Sequence, residues 1–81
     1  MGMKETSRLN GYILKKRGDC YLTNDDKWKS FCNNTRHFAT IEDALEYRSA
    51  SRAKMNVIVV WDVYYGNNQI NKYERKEELY G

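Results

Sequence analysis

The sequence contains no proline, and its 81 residues include only two cysteines and one histidine. The absence of proline suits a chain built from β-hairpins, because proline cannot donate to a β-ladder. Two cysteines are too few for the disulfide framework that small secreted domains usually need, so we expect free thiols. No secretory h-region and no apolar run long enough to cross a bilayer is present, which predicts a cytoplasmic protein without a membrane partner.

Residues typical of catalytic or metal sites are scarce. Cys20, Cys32 and His37 supply soft ligands, but their spacing lacks a fourth ligand and the short Cys-x2-Cys pair of structural zinc sites. Cys32 and His37 also lack the third residue and glycine-rich turn that nucleophilic catalysis requires. A chain this short leaves little apolar area for a deep ligand cavity. We therefore predict no catalytic residue, no metal site and no cofactor.

The residues that are present favour one folded domain with an exposed aromatic surface. Hydrophobic residues make up 41% of the chain, and seven of them are tyrosines, which pack a ring against a sheet while the hydroxyl stays in water. Residues 1–40 carry eight Lys or Arg against four Asp or Glu, whereas residues 41–81 carry six against seven. The basic N-terminal half permits binding to nucleic acid or to an acidic protein.

The N-terminal half has the pattern of a β-hairpin. Residues 9–16 predict a strand and residues 20–23 its partner, with Gly18 supplying the positive φ of a tight turn. Residues 28–32 form a short aromatic segment that we interpret as an optional third strand. Thr40, followed three residues later by an aspartate, predicts the start of a helix.

The C-terminal half alternates helical and β-branched patterns. Residues 41–54 place their apolar side chains on one stripe at helical spacing, which predicts a helix. Residues 57–61 are the most hydrophobic run and predict a central strand that continues through residue 65, and residues 69–73 predict an edge strand. Homodimerisation through this edge strand is compatible with the pattern.

These elements predict an α+β fold with the order β-β-(β)-α-β-β. A small antiparallel sheet of four to five strands carries one helix on one face. Residues 1–8 are expected to be a flexible N-terminal segment, residues 9–73 a single domain and residues 74–81 a C-terminal tail. The other face of the sheet should be more exposed, and we expect function there.

The candidate binding residues are basic and aromatic side chains near the hairpin and exposed tyrosines of the C-terminal strands. Cationic and aromatic groups together can form a nucleic-acid surface, and exposed aromatics with arginine carry most of the energy of protein interfaces. The alternative is that the aromatics anchor the core and the lysines only maintain solubility. The residues chosen are Lys15, Lys16, Arg17, Lys27, Trp28, Lys29, Tyr64 and Tyr73.

Two segments resemble small proteins of phages and mobile elements. The first runs from Tyr21 through the polar turn to Trp28, and the second is the helix start Arg36-x-Phe38-x-Thr40-x-Glu42. The resemblance implies a small single-domain protein that acts by occluding host machinery, including CRISPR nucleases and other defence enzymes. It implies no catalytic residue.

Two functional hypotheses follow from these observations. The first is a non-enzymatic phage-type protein that binds and blocks a host or defence protein, as an anti-defence or anti-CRISPR-like inhibitor. The alternative is a small basic accessory protein that binds nucleic acid and whose affinity falls steeply with salt.

Overall fold

The structure, a computed structural model, describes residues 5–51, 53–65 and 72–80, with Tyr65 and residues 72–74 described by their backbone only. It is an α+β domain with a five-stranded antiparallel sheet and one helix, so the predicted fold class is confirmed. In chain order the elements are β1 (Glu5–Lys16), β2 (Cys20–Leu22), β3 (Trp28–Lys29), α1 (Ile41–Ala50), β4 (Asn56–Tyr65) and β5 (Lys72–Tyr80).

The sheet is organised around two long central strands. Its order is β3-β2-β1-β4-β5, and each neighbouring pair runs antiparallel. β1 and β4 pair from Glu5 opposite Tyr65 to Lys15 opposite Asn56. The predicted hairpin forms, but β1 and β2 share only two rungs.

Capping fixes both ends of α1. The Thr40 hydroxyl accepts a hydrogen bond from the Asp43 backbone N–H at 3.2 Å, as the capping pattern predicted. The helix ends at Ala50 rather than near residue 54, because Ser51 is already extended and its N–H donates to the carbonyl oxygens of Tyr47 and Arg48. This earlier end lets the chain turn back and bury Met55 against the sheet.

Three predicted boundaries on the strands were wrong. β1 begins at Glu5, inside the segment predicted to be flexible, because β4 offers it a partner along its whole length. β5 occupies most of the predicted C-terminal tail, where pairing with β4 outweighs its charged composition. β3 contains only two residues. The predicted edge strand at 69–73 falls partly outside the described residues, which resume at Lys72.

The main core lies between α1 and one face of the sheet, here named the helix face. Leu14 and Val57, neighbours on β1 and β4, are fully buried there with Ala44 of the helix. Half-buried aromatic residues close the edges of this cluster, among them Tyr12, Trp28, Phe38 and Tyr47. The small side chain of Ala44 lets the helix backbone approach the sheet closely.

The opposite face, here named the loop face, has its own smaller cluster. Ile13, Ile58 and Val60 are at most 5% exposed, and Phe31 packs on them from the segment that follows β3. The expectation of an open second face was therefore wrong at its centre. A phenyl ring and its loop protect three β-branched residues that one helix on the other side cannot cover.

Residues 35–38 fill a gap between β1 and β2. The Arg36 N–H donates to the Leu22 carbonyl oxygen at 2.8 Å, and Phe38 exchanges two hydrogen bonds with Tyr12, of 2.9 and 2.7 Å. Gly11 makes this approach feasible, because a Cβ atom at that position would lie 2.9 Å from the Phe38 carbonyl oxygen.

Beyond this point β1 and β4 continue past the core as a three-stranded extension. We name the ribbon end residues 5–10, 61–65 and 72–75, and the domain reaches 51 Å along its long axis. A bulge at Asn10 marks its start, and the Asn10 amide donates to the Asp62 carboxylate at 3.1 Å. An ion pair of 3.4 Å between Arg75 and Glu5 links the two outer strands.

Candidate partner-binding surfaces

The opposite end of the domain, here named the hairpin end, consists of residues 15–29. Its first turn is tight, with Gly18 at φ 84° and Asp19 at φ 57°. The Lys15 ammonium lies 3.4 Å from the Asp19 carboxylate, so this predicted site residue is held by its own turn. Exposed pairs of this kind contribute little to stability, but they neutralise the lysine charge locally.

One cationic side chain at the hairpin end lies over an aromatic ring, and two others are exposed nearby in the sequence. The Lys16 ammonium sits 4.2 Å from the centre of the Trp28 ring, a favourable cation–π distance. Arg17, in the turn, and Lys29, on β3, are exposed and make no ion pair with the described residues. Trp28 is half-buried and also packs on the helix-face core, as the alternative interpretation of this residue predicted.

A second turn at the hairpin end is closed by Thr23. Its backbone N–H donates to the Lys27 carbonyl oxygen at 2.8 Å, and its hydroxyl donates to the Asp25 carboxylate. This hydroxyl lowers the pKa of Asp25 below its ordinary value of 3.8. Lys27, another predicted site residue, lies 3.8 Å from the same carboxylate.

Arg36 fastens this second turn to the helix. Its guanidinium lies 3.1 Å from the Asp26 carboxylate, donates to the Asn24 carbonyl oxygen at 2.9 Å, and lies 5.6 Å from the centre of the Tyr47 ring. The Tyr47 hydroxyl donates to Asp26 at 3.3 Å. Burial, followed by the negative charge of Asp26, raises the pKa of Tyr47 above 10.0.

We expect this network to make stability fall with rising pH in the alkaline range. Because the pKa of Tyr47 is higher in the folded protein than in the unfolded chain, its contribution is complete below pH 10.0 and is lost as pH rises through the folded value. In urea unfolding, the free energy of unfolding of Tyr47→Phe should therefore fall less with rising alkaline pH than that of the wild type. Near neutral pH the free energies of unfolding of the two proteins should depend on pH in the same way. The same pH dependence in the alkaline range as well would contradict the raised pKa of Tyr47.

The two predicted tyrosines are not part of the hairpin end. Tyr64 lies on β4 at the ribbon end, opposite Thr6 of β1. Tyr73 pairs by its backbone with Val63, and its side chain lies outside the described part. The structure therefore separates the predicted site into six residues at one end of the domain and two at the other.

Lys76 contacts aromatic rings on the loop face, and the sequence did not predict this contact. The Lys76 ammonium of β5 lies 3.8 Å from the centre of the Phe31 ring, which itself packs edge-on against Tyr21 and His37. Nothing local signals this contact, because it depends on the register between β5 and β4. The contact adds a positive charge to the loop face.

The residues considered for metal binding or catalysis do not form a cluster in the described part of the chain. Within the described ranges, no three His, Cys, Asp or Glu side chains lie close enough to hold a metal ion. His37 Nδ1 lies 2.9 Å from the Thr35 carbonyl oxygen, and both cysteines are free thiols. None of the helices in these ranges has the length and hydropathy to span a bilayer.

Comparison with known proteins does not extend this description. No protein family, no curated protein and no solved structure matches the chain.

Proposed function

We propose that this chain is a non-enzymatic binding protein that attaches through its hairpin end to a host or defence protein and blocks it sterically. The observation that supports this proposal is the Lys16–Trp28 pair, together with the exposed Arg17 that follows Lys16 in the turn. Arginine and tryptophan are the residues most enriched at energetically important positions of protein interfaces. Their positive charge favours an acidic surface on the target.

The charge pattern favours binding to a small acidic patch on a protein over binding to the phosphate backbone of a nucleic acid. Lys15, Lys27 and Arg36 are each within 4 Å of an aspartate of the same end, which leaves few cations unpaired. A nucleic-acid interface instead gains affinity by neutralising many phosphates with free Lys and Arg. A small group on a rigid support suits one acidic patch on a protein.

The rigidity of the hairpin end supports a blocking role. The second turn is closed by internal hydrogen bonds, and Arg36 ties it to α1. The first turn is held by the pairing of Lys16 with Cys20 and by the Lys15–Asp19 ion pair. A preorganised surface loses little conformational entropy when it binds, so a small contact area can be effective. Together with the resemblance to phage proteins, this supports an inhibitor that acts in the host cytoplasm.

The proposal predicts that Arg17→Glu weakens capture of the target by about tenfold, since one interface arginine typically accounts for about 1–2 kcal/mol. The test uses tagged wild-type and variant protein as bait in a nuclease-treated bacterial lysate, with retained proteins identified by mass spectrometry. The affinity for the purified target is then measured by titration. Arg17 has no partner in the described structure, so its reversal should not disturb folding.

Lys54→Glu is the matched control, because it makes the same charge change at an exposed position after α1. It should retain the target with nearly wild-type affinity. If both reversals weaken binding equally, the net charge and not the hairpin end determines affinity. If no protein survives nuclease treatment, the blocking role is wrong.

The second candidate function, nucleic-acid binding, is favoured by one observation. The hairpin end and Arg36 together carry six Lys or Arg against three Asp. In this case capture would disappear with nuclease, and the affinity for an oligonucleotide would fall steeply as salt rises.

A further inference from the structure

One edge of β1 is open at the ribbon end. Residues 5–9 pair with β4 on one side, whereas on the other side β2 reaches only Lys15 and Lys16, and Phe38 pairs at Tyr12. No described strand lies beside residues 5–10 there. Half of the backbone N–H and C=O groups of this stretch therefore point away from β4, a pattern that accepts another strand.

No described strand lies beside the outer edge of β5 either, but the charges along the middle of this strand oppose pairing with a second copy. In a two-fold antiparallel pair, opposed residues share a face, so one residue always lies opposite its own copy. Arg75, Lys76, Glu77 and Glu78 are consecutive, and a register centred on any of them places like charges in direct opposition. Such pairs are destabilising, and a register centred on Glu74 has the same effect. Registers centred on Tyr73 or Leu79 avoid this opposition, but each uses only three described residues.

The open stretch of β1 permits one register without this conflict. Centring the pair on Glu5 or Arg8 opposes like charges, and centring it on Leu9 extends the pairing to Gly11, where the Phe38 carbonyl oxygen already lies. Centring it on Thr6 uses only three described residues. Centring it on Ser7 uses residues 5–9, the longest run of the described stretch that meets neither obstacle.

We infer that two copies of this chain associate through the open edge of β1, with Ser7 opposite Ser7 of the second copy on the two-fold axis. Thr6 then lies opposite Arg8, and Glu5 opposite Leu9, so no like charges meet. Leu9, which is 46% exposed on the helix face, gains the aliphatic part of Glu5 from the other copy as a neighbour. The two ribbon ends form one continuous six-stranded sheet.

The proposed dimer leaves the hairpin ends free. Because the two β1 strands run antiparallel, the hairpin ends point in opposite directions, each about one domain length from the axis. The contact involves about five residues from each strand, which is smaller than a standard interface, so we expect a weak dimer that dissociates on dilution. The inference does not depend on the proposed target.

Charge substitution at Ser7 tests this arrangement. Ser7→Lys and Ser7→Glu each place like charges on the axis and should raise the dimer dissociation constant at least about fivefold, measured by sedimentation equilibrium. An equimolar mixture of the two variants should dimerise again, which a misfolded variant could not do. Ser49→Lys, on an exposed position of α1, is the matched control and should dimerise like the wild type.

A wild type that stays monomeric at every concentration would overturn the inference, as would a Ser7→Lys variant that dimerises normally. Cross-linking tests the register. In a Cys20→Ser, Cys32→Ser background, Ser7→Cys should form an intermolecular disulfide, because directly opposed residues have Cα atoms about 5 Å apart. Leu9→Cys should not, since its copy lies four residues along the strand; equal cross-linking at both positions would reject the register.

Discussion

Replacing Leu14 with alanine should lower the free energy of unfolding by about 3 kcal/mol. Leu14 is fully buried at the centre of the helix-face core, where it packs with Leu22, Ala44 and Val57. The truncation removes apolar contacts and leaves a cavity between the helix and two strands, which the small Ala44 cannot fill. For a domain of this size that loss is a large part of the total stability.

The matched control is Leu79→Ala, which makes the same chemical change at a position that is 42% exposed beside the irregularity in β5. It should change the free energy of unfolding by no more than about 0.5 kcal/mol. Urea denaturation followed by circular dichroism measures both variants. Equal losses in the two proteins would show that the helix face is not the main core.

Replacing Gly11 with alanine should lower the free energy of unfolding by about 2 kcal/mol. In most strands the same replacement raises stability, because glycine loses more conformational freedom on folding. The added Cβ atom would lie 2.9 Å from the Phe38 carbonyl oxygen, a backbone atom that cannot move independently. Residues 35–38 would have to shift, and both hydrogen bonds between Tyr12 and Phe38 would weaken. Two such bonds contribute about 1 kcal/mol each.

Amide hydrogen exchange identifies the mechanism of this loss. In Gly11→Ala the amides of Tyr12 and Phe38 should exchange faster than in the wild type. Gly18→Ala provides the comparison, since it strains a turn at φ 84° where an added Cβ atom has open space. It should destabilise by about 1 kcal/mol without changing exchange at Phe38. If Gly11→Ala leaves the free energy of unfolding unchanged, residues 35–38 are not fixed against β1.

Local chemistry was enough to predict most elements. Thr40 caps α1 because its hydroxyl accepts a bond from the third residue beyond, which depends only on sequence spacing. β4 follows from its run of β-branched residues, and the first turn follows from Gly18. Each of these features is determined by neighbours within a few positions of the chain.

β5 and the loop face could not be predicted in this way. The residues of β5 are mostly charged and resemble a solvated tail, yet β4 supplies a ladder that only the folded sheet creates. Phe31 was assigned to a short strand, whereas it packs across Ile13, Ile58 and Val60, which are far from it in sequence. Edge pairing and long-range packing leave no local periodicity.

The candidate binding site was predicted in composition but not in arrangement. The sequence identified a basic and aromatic hairpin, and Lys16 does lie over Trp28. It could not show that aspartates in the two turns neutralise Lys15 and Lys27, because those contacts depend on turn geometry. Nor could it show that Tyr64 lies at the opposite end.

The sequence by itself determined the fold class, the helix start, the central strands and the concentration of positive charge around the hairpin. Short-range effects govern these features: hydrogen bonding of caps and turns, β-branching and charge composition. The tertiary structure decided which charges remain free, which face Phe31 covers, and where β1 keeps an open edge. These depend on strand register and on Gly11, through which distant segments approach closely enough to pair or to exclude one another.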